Sequence, residues 1–277
     1  MKNNIIFFIY TTILVTQVSF SKSIFNNSKW EKEKCSIKSI IQNEYSISND
    51  TLQTMKLRLR LKKDFNKNGQ LILQTNFNQL EEALKDTFLY NDSSQLIETI
   101  KYNTFGVRLS HTLITYDLTG KKTEQRVINE PSGTSFKQTF SYNSVGLLVN
   151  TNYYLPNDSL RLTLSNKYDK KGRLIWNNTD SKDEISNYYE YDHRNNVISI
   201  SQLNKDNITI SRYRFSYNCR NEKKTESKYN SSGNLIEKHK ISIKYVYDSR
   251  GNWLSVGTYV DSRLTSFKSR KIEYFPN

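Results

Sequence analysis

Tyr168-Asp169-Lys170-Lys171-Gly172-Arg173-Leu174-Ile175 reads as a tight turn between two strands. Asp169 caps the backbone N–H groups of a type I turn, and Gly172 takes the left-handed conformation that a bulged hairpin needs. Tyr168 ends the incoming strand and lays its ring on a neighbour. The same stretch recurs at Tyr102–Gly106, Tyr116–Gly120, Tyr142–Gly146, Tyr229–Gly233 and Tyr247–Gly251, with Asp117, Asp248 or an asparagine in the capping position. Weaker copies begin at Phe65, Tyr90, Tyr191 and Tyr217. In the last two, Asn195 and Asn221 stand where glycine stands elsewhere, and asparagine is among the side chains that best tolerate a positive φ.

These turns fall on a grid. Phe65, Tyr90, Tyr116, Tyr142, Tyr168, Tyr191, Tyr217 and Tyr247 are separated by 25, 26, 26, 26, 23, 26 and 30 residues. A second turn of looser chemistry falls inside each interval, as at Asn129–Gly133, Pro156–Asp158, Asp180–Asp183 and Asn204–Asn207. The unit is two strands of about eight residues joined by short turns. The expected fold is all-β, with tandem antiparallel hairpin repeats of about 26 residues forming one long, twisted or curled meander sheet of roughly 18 strands. Conforming turns lie on one edge and looser turns on the other. Gln79–Lys85 has helical propensity, but its place on the grid predicts a turn between strands, or one helical turn at most.

Strand patterning supports this. Tyr213, Phe215 and Tyr217 alternate with Arg212, Arg214 and Ser216, and Ile241, Ile243 and Tyr245 alternate with Lys240, Ser242 and Lys244. Period-two alternation marks an antiparallel sheet with one covered face. An open meander of that length curls, splits or closes. The inner face is expected to be aromatic and buried, the outer face basic and polar.

The motif Tyr-Asp-x-x-Gly-x-Leu, most complete at Tyr168–Ile175 and Tyr229–Ile236, resembles the YD repeat, also called the rearrangement-hot-spot (RHS) repeat, of bacterial surface and secreted proteins. Tyr247–Trp253, followed by Arg270–Phe275, is similar to the terminal unit of small secreted members. The resemblance spans about Ser36 to Phe275. It implies β-sheet repeats, which in large members spiral into a hollow shell around a toxin domain.

The N-terminus reads as a secretory signal over residues 1–21. Lys2 supplies the basic start, Ile5–Val18 the apolar run, and Ser19-Phe20-Ser21 the cleavage site. An uncleaved anchor is the alternative, although the run is short for a spanning helix. Residues 22–35 form an N-terminal segment and 36–275 the YD-repeat domain. Export places the chain in the periplasm, on the cell surface or outside the cell, and not across a membrane once the signal is removed. Strands of about eight residues with Lys or Arg along one face fit a transmembrane barrel poorly. Export also permits a disulfide between Cys35 and Cys219, provided that the fold brings their Cα atoms within about 7 Å. Otherwise they are separate thiols.

The 277 residues carry 41 Lys and Arg against 27 Asp and Glu, a formal charge of +14. Such a chain attracts polyanions, unless the charge only solvates strand faces. The cations are spread along the chain with no dense block, which argues against nucleic acid. The expected partner is an anionic glycan or an envelope protein. His111, His193 and His239 have no Cys or His neighbour at metal-ligand spacing. Phosphate loops and nucleophile elbows are missing, and the adjacent Asp183 and Glu184 point to opposite faces of a strand. No enzyme activity, cofactor or metal is therefore expected.

Trp176 and Trp253 each follow a conforming turn. Either is a candidate for stacking on a ligand ring, or else packs within the sheet. The repeated residues Tyr116, Asp117, Gly120, Tyr142, Gly146, Tyr168, Asp169, Gly172, Tyr229, Gly233, Tyr247, Asp248 and Gly251 are explained by turn formation alone. The expected function is that of a non-enzymatic exported scaffold or binding protein of the bacterial envelope or exterior. The alternatives are an accessory protein or shell of a polysaccharide-processing or toxin system, and a purely structural envelope protein.

Overall fold

The computed structural model describes residues 37–48, 54–77, 83–180 and 184–276, all within one compact unit, Cys35–Asn277. The strands are β1 (Ile37–Ile47), β2 (Met55–Phe65), β3 (Leu71–Phe77), β4 (Ala83–Tyr90), β5 (Leu96–Tyr102), β6 (Arg108–Tyr116), β7 (Lys122–Asn129), β8 (Thr134–Tyr142), β9 (Leu148–Tyr154), β10 (Leu160–Tyr168), β11 (Leu174–Thr179), β12 (Ser186–Tyr191), β13 (Val197–Leu203), β14 (Thr209–Tyr217), β15 (Lys223–Asn230), β16 (Leu235–Tyr247), β17 (Trp253–Val260) and β18 (Arg263–Tyr274). Each pairs antiparallel with the strands before and after it. Because β1 pairs with both β2 and β18, the meander closes into a ring. Closure removes the two exposed edges that an open sheet would present. Ala83–Lys85 begins β4 rather than a helix, while the signal segment, Cys35, residues 78–82 and residues 181–183 lie outside the described residues.

Among the described residues, twelve turns share one hydrogen-bond frame, in which the N–H of the capping residue donates four residues on and its carbonyl accepts three residues on. In the turn at Asp169 these bonds are 2.9 Å to Arg173 O and 3.0 Å from Gly172 N. The turns at Leu155–Asp158 and Asn204–Asn207, loose by sequence, adopt the same frame. There Asp158 and Asn207 stand at φ +60° and +59° in the place of glycine. The looseness thus lies in residue type and not in backbone. The expected division between edges is corrected as well, since the conforming turns Tyr102–Gly106 and Tyr229–Gly233 follow β5 and β15, on the same edge as the loose turns after β9 and β13. A real departure joins β17 to β18, where Asp261 and Ser262 form a two-residue turn at φ +49° and +69°.

Along the conforming edge, each turn is tied to its neighbours. The strand-ending tyrosines Tyr90, Tyr116, Tyr142, Tyr168, Tyr191 and Tyr217 donate their hydroxyls to the carbonyl that opens the preceding strand, at 2.6–3.0 Å. At several of these turns the residue after the positive-φ position reaches over the next turn. Gln95 Nε2 donates to Gly120 O at 3.3 Å, Arg173 Nη1 to Asn195 Oδ1 at 3.2 Å and Asn196 Nδ2 to Asn221 Oδ1 at 3.1 Å. Lys121 lies over Gly146 so closely that a Cβ there would be 3.2 Å from its Cε and Nζ.

Cross-strand partners share a face, so the registers sort the side chains into two sets around the whole ring. One set includes Gln42, Leu61, Asp86, Leu164, Asn177, Asn187 and Tyr189, the sizeable side chains that are buried. Buried residues of the other set are small, such as Thr75, Ser186, Ser199 and Ser227. Side chains converge on the concave side of a closed sheet, so the first set is the inner face. The expected burial of an apolar inner face is corrected in degree: among the described residues, only Ile37, Leu61, Leu164 and Tyr189 are buried hydrophobic side chains. A ring of this many strands is too wide for its own side chains to fill.

Hydrogen bonds take over part of the work of a core. Ser211 Oγ donates to Gln202 Oε1 (2.8 Å), Gln202 Nε2 to Asn187 Oδ1 (3.2 Å), Asn187 Nδ2 to Asn177 Oδ1 (2.9 Å) and Asn177 Nδ2 to the Tyr189 hydroxyl (3.1 Å). This amide ladder crosses the inner face from β14 to β11. Neither face carries an unbroken apolar band. Asp86, Lys101, Gln138 and Asn187 interrupt the inner one, and Arg126, Lys137, Arg214 and Lys244 the outer one.

Candidate binding cleft on the outer face

The outer face collects most of the charge. Arg60, Arg126, Arg212, Arg214, Lys240 and Lys244 project from it at mid-strand. Several are laid over aromatic neighbours, with Arg60 5.5 Å from the Phe77 ring centroid, Arg214 5.5 Å from that of Tyr229 and Lys244 4.8 Å from that of Tyr259. Such contacts hold long cationic side chains flat against the sheet while their heads stay in water. On the inner face, cations alternate with carboxylates such as Asp86, Glu226 and Glu237, so the net charge is outward.

An open cleft lies where this face meets the variable edge. It is lined by Lys167 of β10, Trp176 and Asn178 of β11, Glu184, Ser186 and Tyr188 before and on β12, and the turn residues Asn204, Lys205 and Asn207. Registers bring the aromatic residues together, since Trp176 is the cross-strand partner of Lys167 on one side and Tyr188 on the other. Lys167 Nζ stands 4.4 Å from the Trp176 ring centroid, and Tyr188 is 41% exposed although it sits mid-strand. Asn178 Oδ1 is buried with no hydrogen-bond partner among the described residues. An orphaned acceptor of that kind costs about 1–3 kcal/mol unless water or a ligand donates to it. The cleft therefore offers two aromatic surfaces, an unmet acceptor, a carboxylate and two ammonium groups. This set suits a ring-bearing, hydroxylated molecule.

The two candidate tryptophans part company. Trp176 opens outward into the cleft. Trp253 pairs with Tyr247 across a bulge and turns inward, where the Arg270 guanidinium covers its ring at 3.4 Å from the centroid. Cys219 is a free, exposed thiol at a turn tip. His111 Nε2 approaches Glu98 Oε1 at 2.7 Å, and Glu130 Oε1 is held by Arg108 Nη1 at 3.1 Å. His239 Nδ1 lies 2.8 Å from Asp261 Oδ2, which raises the histidine's pKa through that bond first and the surrounding carboxylates second. Among the described residues, no three His, Cys, Asp or Glu side chains are grouped to hold a metal ion. Sequence reading missed Tyr188, Asn178 and Asn204. Only the register of their strands with Lys167 and Trp176 brings them to the cleft.

A sequence profile of the Teneurin YD-shell matches residues 121–263, more than half of the chain. No protein of curated function matches in sequence. Among solved structures, the Tc holotoxin pore of Photorhabdus luminescens is similar over 82% of this chain, with 13% identity and a TM-score of 0.38. The chain spans 13% of that toxin chain. A porin-like protein from Bacteroides uniformis is similar over 86% of this chain and 98% of its own, with 13% identity and a TM-score of 0.43.

Proposed function

The chain belongs to the Teneurin YD-shell family, and on that premise we propose that it is a non-enzymatic, exported repeat shell whose outer face engages an anionic glycan of the cell envelope or exterior. The observation that carries this reading is the one-sided charge. On a chain of net charge +14, Arg60, Arg126, Arg212, Arg214, Lys240 and Lys244 form an outward array at mid-strand, and several of them are backed by an aromatic ring. An array of that kind meets an extended polyanion at many weak points. The variable-edge cleft adds a place for a single sugar ring.

The test is retention of the purified protein on immobilised envelope polysaccharide. Binding is expected to fall by about an order of magnitude between roughly 50 mM and 0.5 M salt, because exposed charges are screened beyond about 3–10 Å. Equal retention at both salt concentrations, or none at either, would overturn the proposal. Trp176→Ala is expected to weaken retention about tenfold at low salt, the worth of one good aromatic contact, while leaving the salt dependence unchanged. If the substitution has no effect, the cleft is not part of the binding surface.

A further inference from the structure

The ring is closed by β1, with β18 on one side and β2 on the other, and the inner face of that seam carries an unbalanced charge. Arg270 of β18 aligns with Gln42 of β1, and Lys63 of β2 aligns with Ile40. The two cations therefore reach over β1 from opposite sides. The guanidinium is held in place, since its Nε donates to Gln42 Oε1 at 2.8 Å and its plane rests on Trp253 at 3.4 Å. Its two terminal nitrogens make no hydrogen bond among the described residues. Lys63 is half-buried, yet its Nζ has neither a hydrogen bond nor an ion pair among them. Glu44, whose field reaches both cations, is already engaged by Lys268 Nζ and Gln42 Nε2, each at 2.8 Å. Three cations thus face one carboxylate.

This arrangement is costly as it stands. Burial first, and the Arg270 charge second, push the Lys63 pKa below the ordinary lysine value, and burial brings Arg270 down to about 10. Folded chains generally avoid two half-buried like charges side by side unless something neutralises them. The open edge of a guanidinium presents two parallel N–H donors, which match two oxygens of one anion better than they match chloride.

We propose that the inner face of the seam is an oxyanion site. A carboxylate or phosphate group lies over Ile40 and Gln42, accepting from the terminal nitrogens of Arg270 through two oxygens and from Lys63 Nζ. The anion bridges β2 to β18 across the strand that closes the ring, so it binds the closed sheet and stabilises it.

The experiment is thermal unfolding and calorimetric titration of the full chain with inorganic phosphate and with acetate, each against chloride at equal ionic strength and neutral pH. The expected result is saturable binding of one phosphate or acetate per chain with a matching rise in Tm. Lys63→Met should weaken binding by about tenfold or more, as should Arg270→Met, while Lys170→Met at an exposed turn tip leaves it intact. General salting-out by phosphate raises every variant alike and is removed by that comparison. Should Arg270→Met fail to fold, Lys63→Met decides the matter, because Lys63 has no partner to lose. No stabilisation over chloride in the unaltered chain, or binding that survives Lys63→Met, overturns the proposal.

Discussion

Asn177→Ala is expected to destabilise the protein by about 2–4 kcal/mol. Asn177 stands inside the amide ladder, accepting from Asn187 Nδ2 at 2.9 Å and donating to the Tyr189 hydroxyl at 3.1 Å. All three residues are buried, at 7%, 6% and 6% exposure. Truncation removes two hydrogen bonds and strands a donor and a hydroxyl between strands that have few apolar contacts to compensate. Urea unfolding with linear extrapolation measures the effect, and the slope should stay unchanged. Asn178→Ala, one residue along but facing outward, should cost much less, because Asn178 Oδ1 has no bond to lose. A loss below about 0.5 kcal/mol for Asn177→Ala would mean that water already serves the ladder and that the amides do not hold the interior together.

Gly146→Val is expected to cost about 1–3 kcal/mol. Gly146 sits at φ +86°, where a β-branched side chain meets its own backbone. Its Cβ would also press on Lys121 at 3.2 Å, although the tip of a lysine can move aside at little cost. Gly106→Val separates the two contributions, since Gly106 has φ +77° and nothing lies within 4 Å of where its Cβ would stand. Gly146→Asn should be tolerated to within about 1 kcal/mol, because Asn195 and Asn221 already hold the equivalent place at φ +66° and +61°. Thermal or chemical unfolding of the three variants checks the order. Equal losses for Val and Asn at Gly146 would show that the positive φ is not what selects glycine there.

What could be read from the sequence was whatever is decided within one hairpin. The Tyr–Gly grid and the strand count of eighteen follow from local φ preferences and from Asx capping, and both are visible in a few consecutive residues. Closure was not visible. Nothing in Ile37–Ile47 marks Arg263–Tyr274 as its partner, and the pairs that join them, Glu44 with Lys268 and Gln42 with Arg270, look like ordinary surface residues in a linear reading. Trp176 and Trp253 likewise look equivalent, each following a conforming turn. The bulge after Tyr247 aligns Trp253 with that tyrosine on the inner face, whereas Trp176, two residues further into its strand, points outward. The cleft was hidden for the same reason, since Tyr188 and Asn204 arrive from the next two hairpins. The polar interior was hidden because Asn177 and Asn178 are the same residue type on opposite faces.

The pairing of β1 with β18 also bears on the order in which the molecule assembles. Every other pairing joins strands adjacent in sequence, so each hairpin can form as soon as its second strand is available, with little loop-closure entropy. The ring alone needs a contact between the first and last strands. Until Arg263–Tyr274 has been synthesised and delivered, Ile37–Ile47 has an unpaired edge that can template association with another chain. Closure of the ring is therefore expected to come after the hairpins have formed, once β18 is available to pair with β1.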